Sequence, residues 1–98
     1  MVLEVAVLNI VPGQGQDFEE AFFEAQRIIA GMPGYESHEL KKCVEKTDQY
    51  LLLVKWDSVE SHEQGFRAFP DYQRWKQLLH HFYYPFPVVV HYTSVTLD

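Results

Sequence analysis

Five histidines, at 38, 62, 80, 81 and 91, supply the side chains of this chain that change charge near neutral pH. His62 follows Asp57-Ser58, either of which can cap a helix, and Glu60 suits the first turn of that helix. Placed there, His62 could act as a general base; a partly exposed helix histidine is the plainer alternative. His80 and His81 are neighbours on a later helical piece and point about 100° apart, which prevents both from binding one metal ion. One of them can face a cavity mouth while the other faces solvent, and no metal site is expected. His38 and His91 lie on strands, where each could meet a phenolic or quinone oxygen or be satisfied within the protein. Asn9 interrupts an apolar strand and could orient a substrate oxygen, although a strand-end hydrogen bond accounts for it equally well.

Aromatic residues come next. Phe66, Tyr72, Trp75 and Phe82 could wall a pocket for a flat ring, or could be core at helical spacing. Cys43 is the single cysteine, so neither an internal disulfide nor a thiolate zinc site is available, and no base stands beside it. Glycine-rich phosphate loops, a nucleophile elbow and carboxylate pairs at catalytic spacing are missing, which removes hydrolases and nucleotide-dependent enzymes from the leading readings.

The elements that must position these groups follow from pattern. Val2 to Val11 reads as a strand ended by Pro12-Gly13. From Gln14 to Ala30 the period changes, with Phe18, Ala21, Phe22, Ala25, Ile28 and Ile29 on one face of an amphipathic helix. Gly31, Pro33 and Gly34 end it. Tyr35 to Val44 and Tyr50 to Trp56 form a hairpin around the polar turn Glu45-Lys46-Thr47-Asp48. The next helix starts near Ser58 and is broken at Phe69-Pro70, because the residue before proline avoids the α region. Tyr72, Trp75, Leu78, Leu79 and Phe82 continue it, and Val88 to Leu97 is the last strand. The expectation is therefore a single α+β domain over residues 1–98, of ferredoxin-like βαββαβ order, with one antiparallel sheet and both helices on one face.

The sheet carries a second signal. In strand one, Leu3, Val5 and Val7 point one way, and Val2, Ala6, Leu8 and Ile10 point the other. Strands three and four are similarly apolar on both faces. A sheet with water on one side should alternate, so a homodimer packed sheet against sheet is expected.

Composition limits the partners. Fourteen acidic and eight basic residues leave a net charge of -6 with no basic stripe, so nucleic acid is an unexpected partner. No charged-then-apolar leader and no span of membrane length are seen, and a cytoplasmic protein is expected.

Several of these segments together resemble the antibiotic biosynthesis monooxygenase family. They are Val11-Pro12-Gly13, Pro33-Gly34-Tyr35, the run from Asp48-Gln49-Tyr50 through Trp56-Asp57-Ser58, Glu60-Ser61-His62 and the Phe69-Pro70 break. The resemblance covers nearly the whole chain and implies a dimeric α/β barrel. It also implies a cofactor-independent monooxygenase or related oxidoreductase acting on an electron-rich aromatic or quinol, whose own anion reacts with O2 in a dry pocket. His62 matches a family histidine and is the leading catalytic candidate, with Asn9 beside it; Tyr72, Trp75, His38, His81 and Phe66 are the substrate-binding candidates. Gly65 stands where relatives often carry a second histidine, and Phe69 where they carry serine. The haem-degrading branch has a helical Trp and His that align near Gly65 and Trp75, so haem degradation is not expected. Two other readings stay open: a non-catalytic dimeric binding domain for a hydrophobic small molecule, and a haem-binding relative using His81 or His62 as axial ligand.

Overall fold

Strand β1 (Val2–Asn9) stops at a turn where Gly13 adopts φ 84° in the left-handed region. Helix α1 (Gly15–Ala30) follows and buries Phe18, Phe22, Ala25 and Ile29, the stripe that its periodicity requires. Gly34, at φ 86°, then turns the chain into strand β2 (Tyr35–Lys42). A Cβ at this glycine would land on the side chains of Asp57 and Ser61, so the position is closed to other residues by both space and backbone conformation.

Strand β3 (Gln49–Trp56) pairs with β2 as the expected hairpin. Asp48, at φ 61°, closes its turn and ties it to the end of β1. The Ile10 N–H donates to the Asp48 carbonyl at 2.8 Å, and the Gly13 N–H donates to the Asp48 carboxylate at 3.0 Å.

After β3, Ser58 is the cap: its Oγ accepts the Ser61 N–H at 3.2 Å. The segment that follows widens into one π turn (Ser61–Gly65) and tightens into a 3-10 turn (Phe66–Ala68). Phe69 is extended, with ψ 141°, and Pro70 starts helix α2 (Asp71–Leu79), so the helix is broken where proline chemistry puts the break. A 3-10 turn (His80–Phe82) leads through a Tyr83–Val88 strap into strand β4 (Val89–Tyr92).

This last strand is shorter than the expected Val88–Leu97. It runs antiparallel to β1, pairing Tyr92 with Leu3, so further extension meets the beginning of β1 and runs out of partner.

The sheet order is β2-β3-β1-β4 with every neighbouring pair antiparallel, a ferredoxin-like α+β fold. The structure describes all residues 1–98, and its buried apolar side chains form one core cluster of 16 residues. Ala6, Leu8, Ile10, Tyr50, Leu52, Val54 and Trp56 face the helices, which contribute Phe18, Phe22, Ile29, Trp75 and Leu79. The opposite face of the sheet is apolar but uncovered, with Val7 45% exposed and Tyr92 58% exposed. No helix is long and apolar enough to cross a membrane.

Candidate functional site

One polar residue interrupts the buried face of β1. Glu4 alternates with Ala6 and Leu8 and so must point at the helices, where it is only 4% exposed. Burying a carboxyl group without partners costs several kcal/mol, on the order of 2–7 even for a neutral polar group, so its surroundings must supply hydrogen bonds. They do. The Trp56 Nε1–H, from the adjacent strand β3, donates to Glu4 Oε1 at 2.8 Å.

His62 Nε2 lies 3.3 Å from the same oxygen, delivered by the π turn that starts at the Ser58 cap. Its ring stacks on the Trp56 indole, with centroids 5.4 Å apart and planes 24° from parallel. The second nitrogen, Nδ1, is 2.9 Å from His91 Nε2 on β4. His91 is also the residue directly opposite Glu4 in the β1–β4 register, so the imidazole of His62 bridges a cross-strand pair.

The electrostatics follow from the dryness of the place. Burial raises the Glu4 carboxyl to about 7 from its ordinary 4.5, with the Trp56 hydrogen bond and the positive charge of Arg67 pulling weakly the other way. Burial also lowers His62 to about 4, assisted by Arg67 and by His91. Neither charge is welcome inside. Below neutrality the pair is therefore a carboxylic acid beside a neutral imidazole, not an ion pair.

These groups lie in the wall of a cavity of about 70 Å³ between the sheet and its own helices. Ala6, Leu8, Leu52 and Val89 line it from the sheet, and Ile29 from α1. Phe66, Tyr72 and Trp75 provide an aromatic side, while His80, Tyr83, Phe86 and Pro87 border it from the end of α2 and the strap. Phe66 meets Tyr72 and Trp75 edge-on, with ring centroids 5.0 and 5.4 Å away. Burial, with Lys76 nearby, lowers the pKa of His80, and burial raises that of Tyr83, to which Glu4 and Tyr72 add.

Of the seven residues named as catalytic or substrate-binding candidates, the structure brings together four: His62, Phe66, Tyr72 and Trp75. Three others are elsewhere. His38 borders a separate open groove of about 400 Å³ between α1 and β2. Its ring is saturated there, with Nδ1 bonded to the Tyr35 hydroxyl and Nε2 lying 2.9 Å from Gln26 Oε1. Asn9 ends β1 with its Oδ1 accepting from Gln49 Nε2 at 2.9 Å and its carbonyl accepting the Tyr84 N–H at 2.8 Å, the strand-end role. His81 is exposed and lies against Phe82, while its neighbour His80 takes the cavity side, as the angular offset of adjacent helical residues demands.

Glu4 was not among the candidates. Its signal was a carboxylate at an inward position of an otherwise apolar strand, together with a buried indole N–H two strands' worth of sequence away that needs an acceptor. No group of three or more His, Cys, Asp or Glu side chains is placed to hold a metal ion.

Known proteins match this chain in sequence and in fold. The profile of the family described as "Antibiotic biosynthesis monooxygenase" matches residues 1–78. "Uncharacterized protein YczJ" of Bacillus subtilis (strain 168) is 54% identical over 95 residues, covering 97% of this chain and 100% of that protein. Among solved structures, a Bordetella bronchiseptica protein given the same family name superposes with TM-score 0.92 at 28% identity, covering 97% of both chains. SnoaB of Streptomyces nogalater, a cofactor-independent oxygenase, shares the fold with TM-score 0.84 at 19% identity, over 98% of this chain and 94% of its own.

Proposed function

Since the chain belongs to the antibiotic biosynthesis monooxygenase family, we propose that it is a cofactor-independent monooxygenase acting on an electron-rich aromatic or quinol-type metabolite. The observation that carries this reading is the buried Glu4–His62 pair set in the wall of an aromatic-sided cavity. An inert binding pocket would have no use for an acid whose pKa sits near 7, whereas a general base at neutral pH would. SnoaB, whose fold this chain shares, supports the absence of a cofactor in the reading.

The reaction converts an activated CH2 and O2 into C=O and water. Glu4, hydrogen-bonded to Trp56 and with His62 Nε2 3.3 Å from the same oxygen, takes a proton from the ring-activated carbon. The resulting delocalised anion passes an electron to O2 and combines with it as a peroxide. Loss of the second C–H proton with cleavage of the O–O bond leaves the carbonyl, and the departing oxygen takes that proton and the one held on Glu4 to leave as water. Carbon gives up four electrons and O2 accepts four. Phe66, Tyr72 and Trp75 hold the ring. A cavity of about 70 Å³ is well below the roughly 300–1,000 Å³ usual for drug-sized ligands, so it has to widen to admit a fused ring system.

The same reading has the chain working as a homodimer. Leu3, Val5, Val7, Leu51, Leu53, Val90 and Tyr92 make the outer sheet face apolar, and a second copy is the economical cover for it.

The test is oxygen uptake by the purified protein with dithranol, a dihydroxyanthrone, and with a naphthohydroquinone under isotope-labelled O2. The expected result is acceleration over autoxidation, with one labelled atom in the organic product. Rates equal to autoxidation for every anthrone and hydroquinone tried would reject the reading.

A further inference from the structure

His91 is not part of the cavity wall, yet it is bonded to His62, which is. Its remaining nitrogen, Nδ1, has no protein partner, and no unpartnered side-chain nitrogen or oxygen is buried, so that nitrogen is open to water. β4 is the edge strand of the sheet, which leaves this side of the imidazole at the boundary of the fold.

Two arrangements of ring protons satisfy the contacts. In the first, Glu4 is a carboxylic acid whose O–H donates to His62 Nε2, the His62 Nδ1–H donates to His91 Nε2, and the His91 Nδ1–H faces solvent. In the second, Glu4 is a carboxylate accepting from His62 Nε2–H, His62 Nδ1 accepts from His91 Nε2–H, and His91 Nδ1 is bare. The Trp56 N–H donates to Glu4 Oε1 in both. The two differ by one proton, lost from His91 Nδ1, and by an Nδ1-to-Nε2 shift of the proton on each ring. No imidazolium and no imidazolate is needed at either end.

We propose that Glu4, His62 and His91 form a proton exit, through which the buried carboxyl group ionises by releasing a proton at His91 Nδ1 while both histidines switch tautomer. The proposal rests on the assignment of Glu4 as the base of the site, and it makes His91 a positioning and relay residue. It gives a role to an edge-strand histidine that stands opposite Glu4 in register and outside the cavity wall. The other charged and titratable groups facing the relay are Arg67 from the 3-10 turn and Tyr83 and Tyr72 beyond it; Arg67 acts on both Glu4 and His62.

The experiment is nitrogen-15 NMR of the histidine rings in the substrate-free protein across the neutral pH range. Wild type should show His62 and His91 moving together from the Nδ1–H to the Nε2–H tautomer with a single midpoint, and Glu4→Gln should abolish the switch in both. His91→Gln keeps a donor to His62 Nδ1 but cannot pass a proton on. That variant, with an unchanged amide spectrum, should slow the exchange between the two His62 forms at least tenfold, and His91→Phe should do the same. Independent titration of His91 with a fixed His62 tautomer, or a wild-type exchange rate in His91→Gln, overturns the proposal. Oxygen uptake with dithranol is scored separately: a coupled switch without oxygenation would sink the enzyme reading and leave the relay, and oxygenation without the switch would do the reverse.

Discussion

Replacing Glu4 by Gln tests the electrostatics of the site without any substrate. The variant keeps an acceptor for the Trp56 N–H and nearly the same shape, and it removes one titrating group. In the wild type, Glu4 binds its proton up to about 7 when folded and to 4.5 at its ordinary value. A folded pKa raised in this way for a carboxyl group costs stability as pH rises through that window, because the folded state holds the proton longer. At about 1.4 kcal/mol per pH unit, the cost is under ~1 kcal/mol at pH 5 and reaches ~3 kcal/mol at pH 8. His62 does the opposite. Its folded value of about 4, against an ordinary 6.5, costs stability as pH falls below 6.5, by ~2 kcal/mol at pH 5.

In the wild type the two pH dependences largely cancel between pH 4.5 and 6.5 while the two costs add, since folding there only moves a proton from the imidazole to the carboxyl group. Glu4→Gln exposes the His62 contribution, which does not depend on Glu4: burial, Arg67 and His91 are its causes. The stability of the variant relative to wild type, from urea unfolding at each pH, is therefore expected to rise by roughly 2–3 kcal/mol between pH 5 and pH 8. His62→Gln should show its relative gain at the acid end instead. Taking the difference between variant and wild type cancels every group the two share. A Glu4→Gln difference that is the same at pH 5 and pH 8 would refute the argument, because it would mean that Glu4 ionises as it does in water.

Two further expectations can be checked with equally simple measurements. Trp56→Phe removes the indole donor from a buried carboxyl oxygen and should cost about 1–3 kcal/mol in urea unfolding, while moving the Glu4 midpoint still higher, since the hydrogen bond from Trp56 lowers it. Val5→Asp combined with Leu53→Lys places charges on adjacent, register-paired positions of the uncovered sheet face. By sedimentation at micromolar concentration the wild type should run as a dimer and the double variant as a monomer; a monomeric wild type would remove the dimer from the proposed function.

Reading the chain residue by residue reached the element order, the helix break at Phe69-Pro70, a cap at Asp57 or Ser58, and aromatic residues at helical spacing on the broken helix. Each of these is a local property: proline geometry, a hydroxyl one turn from an N–H, or aromatic residues at helical spacing. The end of β4 was not legible, because its length depends on how much of β1 remains to pair with, and that is a matter of register. His38 and His81 show the same limit from the other side. His38 lies on β2, the far edge of the sheet, so the residue meets Gln26 and Tyr35 and never reaches the cavity beneath α2.

Periodicity and turn chemistry, then, were enough by themselves to establish a βαββαβ chain with a two-faced apolar sheet and a histidine riding on the second helical connection. Only the tertiary structure decided what that histidine does. Glu4, Trp56, His62 and His91 are separated by up to 87 positions and become neighbours because antiparallel pairing sets β1 between β3 and β4 and the π turn lays His62 across them. A carboxyl group acquires a pKa near neutrality from the water that such packing excludes, and no pattern in one strand records how dry its far side will be.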